Sequence, residues 1–404
     1  MKTGRNYPVV TVTKKAEKSL KYGHPWVYDT EILSSRGEIE NGALVDVLSE
    51  KGSYLGTGFF SEMSKIRVRV LSSNANETFS EAFFERRVKY AVEYRKAVMG
   101  DDFSCCRLIF GEADGLPGLT VDKFGDILVT EVLSYGAEIR KDMIYSQIIK
   151  ALGELSEKVN RIYERNDAPI RRLEGLVEYK GWYGNDHPES TKTTICENGI
   201  KYVVDFENGQ KTGFFLDQKY NRAAIKKIAK GRRVLDCFTH TGSFALNAAA
   251  GGADHVTAVD ISELALAQAR ENAAMNGLSD KVDFVCADVF DYLSDATNAK
   301  QFDLIILDPP AFTKSRKTVQ SAERGYKDIN FRAMKMLPRG GYLATCSCSH
   351  FMSEDLFKKM LFEAALDAGV ELKQVEARQQ APDHPILWNV PETNYLKFYV
   401  FQVI

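Results

Sequence analysis

Arg233-Val234-Leu235-Asp236-Cys237-Phe238-Thr239-His240-Thr241-Gly242-Ser243 decides the fold. It reads as a short buried strand that ends at an acid, followed by a glycine-containing turn into a helix. Three runs of the same kind follow, at 255–260, 282–286 and 303–308, with helical stretches between them, notably 262–275. Buried strands alternating with helices imply a parallel sheet covered on both faces. Ligands of such sheets bind beyond the carboxyl ends of the strands. Each of these four strands ends at, or leads directly into, an aspartate: Asp236, Asp260, Asp288 and Asp308.

Gly242 permits a tight backbone approach, and its turn can offer backbone N–H groups to a ligand. Asp260 falls 24 residues after Asp236, near the spacing at which a carboxylate grips ribose hydroxyls. Asp288 would sit where a carboxylate can accept from an adenine amino group. A dinucleotide would need three glycines in Gly-x-Gly-x-x-Gly, and here Gly242 stands alone. S-adenosylmethionine carries a ribose and an adenine without a phosphate, and it is the expected cofactor. The competing reading is that strand-end aspartates only cap the helices that follow.

After the fourth strand comes Asp308-Pro309-Pro310-Ala311-Phe312, where two prolines keep the loop out of helix. A rigid loop of this kind can hold an acid and carbonyls against a flat base. Enzymes that methylate exocyclic amino groups tend to have an aromatic after the two prolines, and Ala311 takes that position. Further on, 340–350 reads as a strand ending in Thr345-Cys346-Ser347-Cys348-Ser349-His350. A thiol at that edge faces the same crevice as Asp308. Cytosine carbon 5 becomes nucleophilic only after a thiolate adds to carbon 6. Parity does not separate Cys346 from Cys348, which share a face of the strand. Cys348 lies further toward the edge and is favoured.

The rest of the chain reads as two smaller regions. Residues 1–75 hold β-rich runs at 9–12, 43–48 and 66–71, separated by turn-rich patches. Residues 76–190 carry a helix over 80–98, strand-like runs around 119–121 and 127–133, a helix over 141–152 and a strand at 161–164. The division expected is a β-rich domain over 1–75, a central α+β domain over 76–190 and an α/β domain over 191–404.

With 404 residues, 44% hydrophobic and 27% charged, the composition is that of a soluble globular protein. No apolar run approaches the roughly 18 residues needed to cross a bilayer, and residues 1–8 lack the apolar core of a secretory signal. Seven cysteines, an odd number, read as reduced thiols, and no Cys/His spacing suggests a metal site. The net charge of −2 announces no nucleic acid. Local charge does more: Lys2, Arg5, Lys14, Lys15, Lys18 and Lys21 cluster at the start. A second basic stretch runs from Lys314 through Arg316, Lys317, Arg324, Lys327 and Arg332 to Lys335.

These motifs resemble, over essentially the whole chain, the bacterial 23S rRNA large-subunit methyltransferases that make 5-methylcytosine and carry an N-terminal PUA domain. Residues 21–28 (Lys-Tyr-Gly-His-Pro-Trp-Val-Tyr) look like the family's PUA signature, and 113–122 look like its central domain. Residues 209–218 resemble the hairpin leading into the catalytic domain, and 308–315 and 347–349 its motifs for the target base and the nucleophile. The resemblance implies a class I methyltransferase domain of Rossmann-like fold, with Cys348 as nucleophile and Asp308 holding the cytosine. It implies S-adenosylmethionine contacts from Asp236, Phe238, Thr241, Gly242, Ser243, Asp260, Ile261, Asp288, Val289 and Asp308. It implies RNA contacts from His24, Trp26, Lys314, Arg316 and Lys317.

The expected partner is 23S rRNA or a large-subunit assembly intermediate in the cytoplasm, with no membrane and with a homodimer allowed. One departure stands out. Related RNA cytosine-5 enzymes carry a second cysteine after the fourth strand, where this chain has Pro310-Ala311, so another base must take the carbon-5 proton. The competing readings are a guanine methyltransferase, N7 or N2, without a protein nucleophile, and a non-catalytic ribosome-assembly factor that binds RNA.

Overall fold

The computed structural model describes residues 6–185, 187–313 and 315–404. The chain forms two compact units. One comprises residues 1–193, 204–216 and 382–393, and the other residues 194–203, 217–381 and 394–404.

The first unit holds two sheets. Its six-stranded sheet runs Trp26–Tyr28, Ile66–Ser72, Tyr54–Phe60, Leu44–Ser49, Val9–Val12, Ile32–Arg36 in spatial order. All its pairings are antiparallel except that between Val9–Val12 and Leu44–Ser49. Val10, Val12, Val27, Val45, Val47 and Val68 close its core, since β-branched side chains pack well on a pleated surface. The helix Lys14–Lys21 starts where the Thr13 hydroxyl accepts from the Ala16 N–H.

The five-stranded sheet runs Tyr179–Trp182, Arg161–Asn166, Ile127–Val132, Leu119–Phe124, Cys105–Phe110, with the helices Glu81–Met99 and Lys141–Glu154 in the same unit. The helices match the sequence expectation to within two residues at each end. Buried charges in this unit are paired: Arg95 with Asp114 and, at 2.7 Å, Arg107 with Asp122, which also accepts the Thr212 hydroxyl at 2.6 Å.

The second unit is built on one seven-stranded sheet. Its strands are β1 (Arg233–Cys237), β2 (His255–Asp260), β3 (Val282–Cys286), β4 (Leu304–Leu307), β5 (Tyr342–Ser347), β6 (Leu372–Arg378) and β7 (Lys397–Val403), in the spatial order β3-β2-β1-β4-β5-β7-β6. The first five are parallel, and β7 inserts antiparallel between β5 and β6. The helices are α1 (Lys219–Ile228), α2 (Ser243–Ala250), α3 (Glu263–Met275), α4 (Val289–Ser294), α5 (Val319–Met336) and α6 (Glu354–Ala368).

Leu235, Ile305, Leu307 and Leu343 from the sheet pack with Tyr326 and Ile329 of α5 and Phe357 and Met360 of α6. Ser262 and Ser353 cap α3 and α6, each accepting from a backbone N–H three residues on. Gly369 ends α6 in the left-handed conformation, φ 66°. Among the described residues no helix is long and apolar enough to cross a membrane, and all seven cysteines are free.

Candidate active site

The strand order reverses at β1, so the crevice of this sheet opens at the carboxyl ends of β1 and β4. Asp236 lies one residue before the end of β1 and is fully buried. Its Oδ2 accepts from the Thr239 hydroxyl at 2.6 Å and from the Ala245 N–H at 2.9 Å. One oxygen thus ties the turn to the start of α2, while Oδ1 is buried without a hydrogen-bond partner. Burial, with the nearby Asp308 and Asp260 acting the same way, pushes the Asp236 carboxyl up to about 7.

The turn after Asp236 is unusually bent. Phe238 and His240 hold φ at 62° and 51°, and Gly242 at 82°. Gly242 alone can do so cheaply, and a Cβ there would stand 3.1 Å from the Ala269 Cβ on α3. The bends are held by hydrogen bonds: His240 N–H to Asp260 Oδ2 at 2.8 Å, and Asn272 Nδ2 to the Thr241 carbonyl at 3.0 Å. Thr241 is buried, Ser243 half-buried, and Phe238 packs against the main core.

Asp260 closes β2, with its second oxygen accepting from the Ser262 N–H at 2.9 Å. It therefore braces the turn and the entry to α3, and both oxygens retain a lone pair for a further donor. Ile261 beside it is 70% exposed. Asp288 is exposed and caps α4, its Oδ1 accepting from the Phe290 N–H at 2.7 Å. Helix capping thus describes one use of Asp288, and Val289 after it is buried.

Asp308 follows β4 directly. Gln218, at the entry to α1, donates Nε2 to its Oδ1 at 3.0 Å, and the Cys346 thiol hydrogen-bonds to it as well. Burial and the neighbouring Asp217 hold the Asp308 carboxyl up at about 6. Cys346 is completely buried on β5, and burial with the Asp308 charge raises its thiol well above the ordinary value. Cys348 lies just beyond the end of β5 and is half-buried. Pairing of Leu307 with Thr345 brings the chain after β4 beside the chain after β5.

A methyltransferase family described as S-adenosylmethionine-dependent matches residues 180–401, more than half of the chain, and a PUA-like domain family matches residues 10–73. The ribosomal RNA large subunit methyltransferase I of Pseudoalteromonas atlantica is 42% identical, covering 98% of this chain and 99% of the relative. That of Klebsiella pneumoniae is 39% identical over 98% and 99%. The chain belongs to the ribosomal RNA large subunit methyltransferase I family.

This methyltransferase is S-adenosylmethionine-dependent, with an N-terminal PUA-like domain. A Streptococcus mutans structure described as a SAM-dependent methyltransferase shares its fold, with TM-score 0.81 and 23% identity over 98% of this chain and 99% of that one. A methyltransferase solved with SAH gives the same TM-score at 24% identity, over 98% and 99%.

The remaining sequence-expected residues of the methyltransferase fall elsewhere. Arg316 and Lys317 lie exposed on the short 3-10 turn Arg316–Thr318, and Lys314 lies outside the described residues. Of the same basic stretch, Lys327 pairs with Asp367 at 2.9 Å and Arg332 with Asp328 at 2.9 Å, so their charges are partly spent. In the other unit His24 and Trp26 stand edge to face, 5.2 Å between centroids. Their ring nitrogens engage Glu392 at 3.2 Å and Glu112 at 3.0 Å.

Sequence reasoning missed Thr239, Gln218, Asn272 and Lys397, all buried polar residues on this unit's site-bearing elements. Gln218 ends the quoted stretch 209–218 and Thr239 lies within the opening turn, so a signal existed for both. Asn272 and Lys397 carried none.

Proposed function

We propose that the methyltransferase forms 5-methylcytosine in 23S rRNA, with Cys348 as nucleophile and Asp308 as the group that holds the base. The bound cofactor supplies an electrophilic methyl group on a sulfonium. Asp236, Phe238, Thr241, Gly242, Ser243, Asp260, Ile261, Asp288, Val289 and Asp308 would hold it. The donor set suits a cation: three carboxyls at the ends of β1, β2 and β4, two of them raised by burial and by neighbouring carboxylates.

The Cys348 thiolate adds to carbon 6 of cytosine, forming the C–S bond and moving an electron pair onto carbon 5. Carbon 5 takes the methyl group, loses its proton to a base, and the C–S bond breaks to return the thiolate. With a carboxyl near 6, Asp308 can donate a proton to the base in its neutral form or accept from its amino group when ionised.

The observation that most supports this reading is the pairing of Leu307 with Thr345, which brings the chain leading to Asp308 beside the chain leading to Cys348. Arg316 and Lys317 would contact phosphates, and Lys314 with them. His24 and Trp26, whose ring nitrogens are engaged, would meet RNA through their ring surfaces. The substrate would be rRNA or a large-subunit assembly intermediate in the cytoplasm.

The test is to incubate the protein with labelled S-adenosylmethionine and unmodified large-subunit rRNA, then identify the labelled nucleoside by mass spectrometry, with Cys348→Ala alongside. Label in 5-methylcytidine that vanishes in the variant is expected. Label in a guanosine, or label indifferent to Cys348, would overturn the reading.

A further inference from the structure

Lys397 opens β7 and pairs with Ser347, the residue before Cys348. Lysines are almost never fully buried, because desolvating an ammonium is costly unless it is paired. Lys397 is only 6% exposed. Its Nζ donates to the Ser349 carbonyl and to the Tyr395 carbonyl, each at 2.8 Å. Cys348 therefore sits between the residue that Lys397 faces across the sheet and the residue whose carbonyl Lys397 holds. Among the described residues no carboxylate forms an ion pair with Lys397.

The groups around this pair can be named. Glu354 is the acid that acts on Lys397, but its Oε1 already takes the Tyr399 hydroxyl at 2.6 Å and Lys358 at 2.7 Å. Tyr326 and Cys346 also feel Cys348, and both are raised by burial and so remain neutral. Lys397 is a cation on which the Cys348 charge acts. Burial draws its ammonium down to about 8, with Cys348 and Glu354 opposing that fall. At neutral pH Lys397 is therefore mostly the ammonium.

We propose that the Lys397 ammonium is the counter-cation of Cys348, holding the nucleophile as a thiolate once its proton has passed to solvent. The S–H bond breaks, its proton goes to water, and the electron pair stays on sulfur beside the ammonium. The two carbonyls solvate the ammonium, and the same charge receives the thiolate when it leaves carbon 6. The mechanistic meaning rests on Cys348 being the nucleophile, whereas the ion pair itself can be measured without RNA.

The experiment is alkylation of the full-length protein by iodoacetamide from about pH 5 to about pH 10, following the Cys348 peptide by mass spectrometry so that Cys196 and Cys286 do not interfere. Wild-type Cys348 should approach full reactivity below the ordinary thiol range of about 8.5. Lys397→Met should lower its rate near neutral pH about tenfold, one unit of thiol titration, and Lys397→Arg should largely preserve the early rise. A wild-type profile centred at or above the ordinary range would overturn the proposal even if Lys397→Met failed to fold. So would identical profiles in wild type and folded Lys397→Met. A Lys397-dependent profile together with full methylation by Cys348→Ala would uphold the ion pair and overturn the nucleophile.

Discussion

Gln218 Nε2 stands 3.0 Å from Asp308 Oδ1, joining positions 90 residues apart in the chain. The amide favours the ionised carboxyl, opposing the burial and the Asp217 charge that raise it. Gln218→Leu removes that donor, so the Asp308 carboxyl should titrate higher still. A hydrogen bond to a charged group contributes about 1.5–3 kcal/mol, so the acidic limb of the pH–rate profile should move up by roughly one to two pH units. Methyl transfer measured against pH checks this, and an unmoved limb would detach Asp308 from the rate.

Asp236 and Asp308 carry raised carboxyls, up to about 7 and about 6, in a site proposed to receive a sulfonium. A cation favours their ionised forms, so its binding should release protons. Affinity for S-adenosylmethionine should therefore climb as pH rises through about 6 and level off above about 7. S-adenosylhomocysteine, a neutral thioether at that position, should show a flatter dependence. Calorimetry in buffers of different ionisation enthalpy counts the protons directly, and equal counts for the two ligands would remove the acids from the sulfonium's surroundings.

The four acid-ended strands were legible because buried parallel strands are continuous apolar runs, and Val234-Leu235 and Leu304-Ile305-Ile306-Leu307 need little context to read. Spacing could not say what each acid does. Asp288 caps α4 and Asp260 braces two backbone amides, and ligand and cap use the same residue types at the same spacing. Lys397 was illegible for another reason: β7 enters beside β5 from 50 residues downstream of Ser347. That antiparallel insertion is a property of the sheet order, and nothing local in Tyr395-Leu396-Lys397-Phe398 reports it.

Gly242 tests the turn. At φ 82°, with the Ala269 Cβ 3.1 Å from where its own would stand, Gly242→Ala is strained in backbone and space. A left-handed residue with a Cβ costs roughly 1–2 kcal/mol, and the turn can relieve it only by moving away from α3. Cofactor affinity should fall about tenfold or more, with far-ultraviolet dichroism unchanged. Unaltered affinity would place the cofactor away from this turn.

Arg222 and Glu197 form a fully buried pair, 2.6 Å and 2.9 Å, that joins α1 to the strand Lys192–Glu197. Removing one partner leaves the other charged and desolvated, at a cost of about 3–5 kcal/mol. Glu197→Ala should lower the unfolding free energy of its unit by that amount, read from urea melts, whereas Glu197→Gln, which keeps an acceptor, should lose less. Equal losses would mean that packing, not charge, carries the contact.

The basic stretch after Asp308 separates into spent and unspent charges, and RNA binding should follow that division. Lys327 is engaged with Asp367 and Glu363, whereas Arg316 and Lys317 are exposed and form no ion pair among the described residues. Each phosphate contact contributes a slope of about 0.9 to the dependence of log affinity on log salt. Arg316→Ala and Lys317→Ala should each flatten that slope by about one and weaken binding evenly across RNA sequences. Lys327→Ala should leave the slope unchanged, since freeing Asp367 and Glu363 alters the surface charge without removing a phosphate contact. Filter binding over a range of salt concentrations separates the three variants, and a slope lost only in Lys327→Ala would move the RNA path from the Arg316–Thr318 turn to α5.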